Sequence, residues 1–414
     1  MPSIPVRTWP ALLLLGFASG LPYALVDSTL MAWLAKAGWS KEELVWAGYV
    51  SLPYLFKVVW APVVDRCVPP WFGRRRGWLL ATQLAVMIGL GIMSFCDPVL
   101  HPAWLLAAAT LAAFASATQD LAVNGYTIDA VPADKLAAGA GLSVWGYRAA
   151  MVISGGLALV AADQWGWSAA YLVMAMLLIP GLIGTLIAPE PTHIPAPTTW
   201  RVAVIEPFNE FTRRLGMQGL LLLLVLVLCY RLTDGLANML SSAFLVAMKY
   251  NLTELGLTRS WVGLIGAALG SGMAAWCCFR LGMMSALWIF GILQALSNLG
   301  FVGIEQGWWT GTSGLIGVLL VDTACGAAAG TAFVGWLMGF CSSSFSATQF
   351  ALLTAVTVLG PHLLRPAIAA WVPTVGWSGY FVFTTLAMIP GLLLLLVAKN
   401  LHRRSSDDLT QVTA

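Results

Sequence analysis

The sequence predicts an all-α integral membrane protein, and two observations predict it: the composition and the length of the apolar segments. Of the 414 residues, 59% are apolar and 9% are charged, whereas about 25% of the residues in a soluble domain are charged. The apolar segments have about the 20 residues that a helix needs to cross a bilayer, while strands of a membrane barrel would have about 10. Both a soluble globular protein and a membrane barrel are therefore excluded.

Apolar segments divide the chain into two groups of six. The first group covers residues 9–35, 43–63, 78–96, 102–131, 138–162 and 169–188, and the second covers 217–248, 260–280, 284–304, 313–341, 347–372 and 378–398. No small-residue cleavage site follows the first segment, so we expect a membrane span there and not a signal peptide. Six spans, a linker and six spans form the plan of the major facilitator fold, whose two bundles are built from repeats.

The predicted domains follow from this division. They are an N-terminal six-helix bundle over residues 1–188, a cytoplasmic linker over 189–216, a C-terminal six-helix bundle over 217–398 and a cytoplasmic tail over 399–414. The linker begins with a proline-rich stretch and continues with mixed charges, a composition that is typical of loops.

Lysine and arginine residues set the predicted orientation. With both termini inside, thirteen of the 21 cations lie on the cytoplasmic side, four in the outer loops and four within spans. Cytoplasmic loops of membrane proteins carry such an excess of cations. The sequence therefore predicts twelve transmembrane helices with both termini in the cytoplasm.

Nine ionisable side chains fall within predicted spans, where a charge facing lipid costs about 2.5–3.5 kcal/mol. They are Asp27, Lys57, Asp120, Asp129, Arg148, Arg231, Asp234, Asp322 and Arg365. Asp120 and Arg148 lie equally far from the turn between the fourth and fifth spans, which predicts a charge pair across that hairpin. Arg231 and Asp234 are three residues apart, which predicts a second pair on one helix face. Each pair is either an inert structural clamp or part of a wet cavity, and the sequence leaves both interpretations open.

Acids outnumber bases inside the spans. Asp129, Asp322 and Asp27 have no cation nearby in the sequence, and a carboxyl group that is desolvated without a partner tends to hold a proton. We therefore predict proton coupling by one of Asp120, Asp129, Asp322 and Asp27. Lys57 and Asp129 lie near cytoplasmic helix ends, where long side chains reach water, so we also expect a gating or anchoring role for them.

Polar side chains deep in the spans need partners in a dry setting, which a substrate rich in hydroxyl or amide groups would supply. The candidate substrate-binding residues are Gln119, Asn124, Tyr126, Trp145, Tyr147, Asn238, Gln294, Asn298, Gln349 and Arg365. For an aromatic residue such as Trp145, core packing is the alternative to stacking on a sugar ring.

Several kinds of chemistry are not expected. The seven cysteines have no ligand-like spacing and the four histidines are scattered, so we predict no metal site, no cofactor and no disulfide framework. A net charge of +3 gives no bulk electrostatic reason to expect nucleic acid as a partner. No loop is long enough to hold a separate catalytic domain, so we expect no enzyme activity.

Distinctive stretches along nearly the whole chain resemble one family, the AmpG-type muropeptide permeases of the major facilitator superfamily. The matching stretches are Gly16–Pro22, Leu52–Lys57, Trp60–Pro62, Asp65–Arg66, Gly73–Trp78, Ala117–Asp120, Asp129, Gly146–Arg148, Ser154–Leu159, Tyr230–Asp234, Ile289–Gln294, Gly330–Val334 and, most specific of all, Phe345–Leu353. The resemblance implies import of GlcNAc-anhydroMurNAc peptides across the bacterial inner membrane during cell-wall recycling, driven by protons. It also implies a link to the induction of beta-lactamase.

The resemblance extends to the loop between the second and third spans, which is similar to the gating loop of the superfamily. It implies gating roles for Lys57, Asp65, Arg66, Arg74, Arg75 and Arg76. The chain departs from the family at Asn124, where an acid is common, and at Thr127, where a base is common. Asp322 stands in place of the usual glutamate, and an arginine that is expected near Pro361 stands one turn later, at Arg365.

We therefore expect a monomeric multi-pass protein of the bacterial inner membrane that imports anhydro-muropeptides with protons by alternating access. Two rival functions remain open at the level of sequence. The first is a proton-linked carrier of another sugar, peptide or drug-like amphiphile. The second is an integral membrane transferase, which is disfavoured because the acidic residues lie at depth and not at a membrane face.

Overall fold

The structure is a computed structural model that describes residues 4–132, 135–191, 196–250 and 252–398, and the described secondary structure is helical throughout. The first half contains α1 (Thr8–Val26), α2 (Ser28–Lys36), α3 (Lys41–Ala47), α4 (Leu52–Phe56), α5 (Ala61–Arg66), α6 (Arg74–Phe95), α7 (Pro102–Ala130), α8 (Leu136–Val152), α9 (Ala158–Trp165), α10 (Trp167–Met176) and α11 (Ile179–Ile187). The second half contains α12 (Trp200–Ala247), α13 (Leu252–Leu281), α14 (Met283–Ser297), α15 (Leu299–Glu305), α16 (Gly311–Met338), α17 (Ser346–Leu386) and α18 (388–398).

Ten helical stretches within the described residues are long and apolar enough to cross a membrane, so the chain is a multi-pass membrane protein. The predicted spans 43–63 and 347–372 are not among these ten stretches. The first of them is divided into the short helices α3, α4 and α5, with 3₁₀ turns at Gly48–Ser51 and Lys57–Val59 between them. Twelve spans and cytoplasmic termini therefore stay predictions.

The linker is more helical than its composition predicts. Helix α12 begins at Trp200 and passes through Gly216, whose positive φ of 70° breaks the regular geometry. Glycine adopts this conformation at little steric cost. The break falls at the predicted end of the linker, so residues 200–215 form a helix of their own before the seventh predicted span.

The chain forms two compact units. The first comprises Met1–Val204 together with Cys341–Ala351, and the second comprises Ile205–Phe340 together with Leu352–Ala414. The core of the first unit is built largely from alanine and leucine side chains. The core of the second contains an aromatic cluster in which the rings of Phe244, Phe301 and Phe381 lie 4.7–6.0 Å apart.

Helices α1 and α8 cross so closely that their backbones touch. A Cβ atom added to Gly16 would lie 2.0 Å from the Ser143 carbonyl oxygen, and one added to Gly146 would lie 2.2 Å from that of Leu13. In the second unit, a Cβ atom on Gly270 would lie 2.1 Å from the Ala324 carbonyl oxygen. Small residues allow such close packing of membrane helices. These glycines therefore set the short distances between α1 and α8 and between α13 and α16.

We predict that the Gly146→Ala substitution destabilises the protein by about 1–3 kcal/mol, because the rigid α1 backbone has to move away from the new methyl group. Thermal unfolding in detergent measures the effect. The matched control is Gly91→Ala in α6, where a Cβ atom would meet nothing within 4 Å. Equal thermal stability of the two variants would contradict the close crossing.

Candidate functional site

Four charged side chains form a buried network at the start of α6. The Arg75 guanidinium donates from Nε to Asp129 Oδ2 at 2.7 Å and from Nη2 to Asp65 Oδ1 at 2.9 Å. Arg74 Nη2 donates to the same Asp129 oxygen at 3.2 Å. The side chains of Arg75, Asp65 and Asp129 are at most 1% exposed. Two acids and two bases balance each other here, as a buried charge requires.

The sequence makes room for this network at one position of α7. A Cβ atom on Gly125 would lie 2.9 Å from the Arg75 guanidinium carbon. Asp129 follows Gly125 by four residues, so both lie on the same face of α7. Gly125 thus leaves space for the Arg75 guanidinium beside α7, and Asp129, one turn later, accepts its hydrogen bond.

The segment Cys341–Ala351 docks onto the same network within the first unit. Asp65 Oδ2 accepts from the Thr348 N–H and hydroxyl groups, both at 2.7 Å, and Asp65 Oδ1 accepts from the Ala347 N–H at 3.2 Å. These N–H groups belong to the first turn of α17, where an anion is favourable. Arg75 also donates to the Ser346 hydroxyl, and Arg74 donates to the Ser343 carbonyl at 2.9 Å.

Three of the residues to which the family resemblance gave gating roles lie outside this network. Lys57 pairs with Asp120, in the middle of the irregular stretch between α4 and α5. The Arg66 guanidinium stacks on the Trp200 ring, 4.2 Å from its centroid. Arg76 points away and caps the end of α11. The sequence missed Ser346 and Thr348, although both belong to the run Phe345–Leu353 that resembles the family most closely.

A second polar cluster surrounds Asp120 in α7. Its carboxylate accepts from Lys57 Nζ, and from the Ser19 hydroxyl and the Asn124 amide, both at 3.4 Å. The predicted pair of Asp120 with Arg148 is therefore wrong: Arg148 is exposed and makes no ion pair within the described residues. Equal depth did not determine which faces of the two helices meet. The side chains of Lys57 and Asp120 are 22% and 24% exposed, so the cluster is within reach of a ligand.

The second unit contains a cluster of the same composition. Arg231 Nη2 lies 2.8 Å from Asp234 Oδ2, as the spacing of these residues predicts. The Asn238 amide donates to Asp234 Oδ1 at 2.8 Å and to the Asp234 carbonyl at 2.9 Å. Asn124 contacts Asp120 in the same way in the first unit, with 2.8 Å to the carbonyl. Each unit thus carries a cation, an aspartate and an asparagine one turn later, all partly exposed.

Asp322 lies in α16 and makes no ion pair within the described residues. Its Oδ1 accepts from the Ser297 hydroxyl at 3.1 Å and from the Gln294 amide at 3.5 Å. Ser297 also lines a cavity of about 780 Å³ between the α14–α15 region and α16, whose other walls include Trp308 and Trp309. Ser297 therefore both binds this acid and forms part of the cavity wall.

Asp27 occupies the break between α1 and α2 and likewise makes no ion pair within the described residues. Its backbone departs from helical geometry, with φ −115° and ψ −99°. Asp129, which has no cation nearby in the sequence, contacts two. Of the five acids predicted within spans, Asp27 and Asp322 are therefore those without an ion pair in the described part of the chain.

The remaining candidate residues fall into two groups. The Tyr126 hydroxyl donates to the Pro189 carbonyl, the Asn298 amide donates to the Thr384 hydroxyl, and Gln349 accepts from the Ser342 N–H. Gln119 is fully buried. The first three side chains bond within the protein here, whereas the Gln119 amide has no hydrogen-bond partner within the described residues, and contact of all four with substrate stays a prediction. Trp145 is 37% exposed and Tyr147 is half-buried, while the side chain of Arg365 lies outside the described residues.

We predict that the Asp120→Asn and Lys57→Met substitutions show a coupling energy of about 0.5–3 kcal/mol in a double-mutant cycle, because each single change leaves the other charge without its partner. The free energy of unfolding in mixed micelles measures the coupling. The control cycle combines Asp120→Asn with Arg148→Met, for which we expect no coupling. Larger coupling in the control cycle would contradict the contact with Lys57.

Comparisons with known proteins agree with this arrangement of helices. The sequence model of the Major Facilitator Superfamily matches residues 12–357. Two solved structures share the fold. The human organic anion transporter MFSD10 (TETRAN) matches with a TM-score of 0.68 and 14% identity, and the match covers 95% of this chain and 100% of that chain. The transporter FucP of Escherichia coli in its outward conformation matches with a TM-score of 0.67 and 11% identity, and the match covers 94% of this chain and 98% of that chain.

A much closer relative is found among characterised sequences. The chain is 40% identical over 413 residues to the anhydromuropeptide permease of Escherichia coli K12, and the match covers 97% of this chain and 82% of that relative. The superfamily model covers most of the chain, and the relative from Escherichia coli is named a permease, which is a membrane transporter. The chain therefore belongs to the Major Facilitator Superfamily and is a membrane transporter, not an enzyme.

Proposed function

We propose that this chain imports anhydromuropeptides across the bacterial inner membrane in symport with protons, with twelve spans and both termini in the cytoplasm. The observation that carries the proposal is the 40% identity, over 97% of the chain, to the permease of Escherichia coli that is named for these compounds. The proposal keeps the expected monomer as the working unit.

The two partly exposed polar clusters supply the chemistry that such a substrate needs. A saccharide peptide presents hydroxyl, amide and charged groups together. Lys57 with Asp120 in the first unit, and Arg231 with Asp234 in the second, offer both charge signs close to an amide. Each ion pair can exchange its partner for a substrate group of the same charge, so substrate binding leaves no buried charge unpaired.

Asp322 is the acid that best suits proton binding. Asp120, Asp129 and Asp234 each contact a cation, so a proton on any of them would leave that cation without its ion-pair partner. Asp322 accepts hydrogen bonds from a hydroxyl and an amide group and makes no ion pair within the described residues, although Arg259 is close enough to act on its charge. Its partner Ser297 also lines a cavity. Symport requires that proton and substrate favour the same conformational state. A proton on Asp322 removes one negative charge from the second unit, and this change can shift the equilibrium between the conformational states of the transporter.

The arginine network of the first unit is the proposed inner gate. Asp65 binds the first turn of α17, and Arg75 holds Asp65 in place. Release of the substrate to the cytoplasm requires that the segment Cys341–Ala351 leaves these side chains. The contacts are hydrogen bonds between charged and polar groups, which can re-form with water when the network opens.

We predict that purified protein in liposomes accumulates labelled GlcNAc-anhydroMurNAc peptide when an inward proton gradient is applied, because proton entry drives the substrate uphill. Uptake without a gradient should reach only equilibrium. Competition by unlabelled sugars, peptides and amphiphiles is measured in parallel. Neither binding nor accumulation of the muropeptide, together with uptake of one of these competitors, would contradict the proposed substrate.

We further predict that Asp322→Asn abolishes gradient-driven accumulation but preserves counterflow of labelled substrate in liposomes loaded with unlabelled substrate. The amide cannot take up a proton, whereas exchange needs no net proton movement. The control is Asp163→Asn, since Asp163 is an exposed acid whose side chain is 80% accessible. Accumulation by the Asp322→Asn variant at the level of the control would remove Asp322 from the coupling mechanism.

A further inference from the structure

A carboxylate from the end of the first half of the chain holds the first turn of α6. The N–H groups of Arg75 and Arg76 donate to Glu190 Oε1 and Oε2, at 2.9 and 3.1 Å. The first N–H groups of a helix have no acceptor within the helix. Gly73, which precedes α6, has no side chain that could accept from them. Glu190 therefore acts as the N-terminal cap, although it lies more than 110 residues away in the sequence.

The geometry at Gly73 fits this arrangement. Its φ of 84° lies in the left-handed region, and a Cβ atom there would come within 2.7 Å of the Glu190 carboxyl carbon. Glycine is the residue that combines this backbone conformation with the required space. The chain thus leaves a gap at the start of α6 that the Glu190 side chain fills.

The capping contact is reciprocal. Arg76 donates from Nε to the Thr185 carbonyl and from Nη2 to the Leu186 carbonyl, both at 3.0 Å, in the last turn of α11. An anion at a helix start and a cation at a helix end are each favoured by the helix dipole. The Tyr126 hydroxyl holds the connecting backbone through the Pro189 carbonyl at 3.1 Å. Glu190 and Arg76 thus tie the start of α6 to the end of α11.

Arg75 belongs to both systems of contacts. Its backbone N–H binds Glu190, and its guanidinium binds Asp65, Asp129 and Ser346. Residues Arg74–Arg76 place three cations in the first turn of α6, where the positive end of the helix dipole disfavours them. Within the described residues, Glu190 is the carboxylate on the backbone of this turn. Its loss would loosen the turn from which both network arginines project.

We propose that Glu190 is a positioning residue for the inner gate: through the first turn of α6 it fixes the arginines that hold the segment Cys341–Ala351. The inference rests on the proposed gating role of the arginine network. Since Glu190 follows the last span of the first half directly, it also connects the start of the linker to the gate. A displacement of the linker would then reach the Arg75 backbone through one hydrogen bond and the Arg76 backbone through another.

The native thiol of Cys341 provides a test in the full-length protein. Cys341 lies at the start of the docked segment and is 6% exposed, and Cys277 in the second unit is 4% exposed. We expect Glu190→Ala to raise the rate of Cys341 alkylation by N-ethylmaleimide, followed by peptide mass spectrometry, about 2- to 30-fold, as expected for the loss of a helix cap. The rate at Cys277 should not change. The conservative Glu190→Gln variant, which keeps the shape and one acceptor oxygen, should show a smaller rise.

Transport gives a second readout. Because Glu190 touches neither polar cluster within the described contacts, its variants should change the maximal rate of muropeptide uptake and leave KM close to that of the parent. The matched control is Glu206→Gln, which alters a linker glutamate that pairs with Arg213 at 3.5 Å. This control should change neither uptake nor alkylation.

The outcomes separate the possible failures. A rise at Cys341 with Arg75→Ala but with neither Glu190 variant would overturn the role of Glu190 and leave the gate in place. No rise with any of the three variants would overturn the gating network itself, and the role of Glu190 with it. Equal rises at Cys341 and Cys277 would indicate general loosening of the fold and would also overturn a specific positioning role.

Discussion

The constraint on which the structure depends is that each charge within a membrane protein needs an opposite charge or a polar partner. Helix α7 meets this constraint twice, since Asp120 and Asp129 are nine residues apart, which is about 2.5 helical turns and places them on opposite faces. Asp120 meets Lys57 on one face, and Asp129 meets Arg74 and Arg75 on the other. One helix therefore serves both the polar cluster and the arginine network of the first unit.

The two polar clusters repeat one local solution. In each unit an asparagine four residues after the aspartate donates to the aspartate side chain and to its backbone carbonyl. This contact orients the carboxylate without adding charge, so a single cation suffices to neutralise the cluster. The cations differ in origin, because Arg231 lies on the same helix as Asp234 whereas Lys57 comes from a separate irregular segment. The cluster in the second unit is therefore set by local sequence, and that in the first by packing.

This difference explains what could be predicted from the sequence. The contact between Arg231 and Asp234 follows from helical spacing, and the helical architecture follows from composition and apolar length. The partner of Asp120 does not follow, since the 3₁₀ turns around Lys57 change the helical register by an amount that spacing does not reveal. The contacts of Asp65 with Ala347 and Thr348 join residues about 280 positions apart, and only the tertiary structure brings them together.

The distribution of charge assigns different tasks to the two units. In the first, the arginine network is neutral, and the pair of Lys57 with Asp120 is neutral as well, so protonation there would leave a cation unpaired. In the second, Asp234 is compensated by Arg231, while Asp322 relies on Ser297 and Gln294. A proton on Asp322 leaves no cation without its ion-pair partner, whereas a proton on Asp129 or Asp120 does. The same holds for Asp27 in the first unit, which makes no ion pair within the described residues. Asp322 is the stronger candidate for proton binding because its partner Ser297 also lines a cavity, while the gating contacts are concentrated in the first unit.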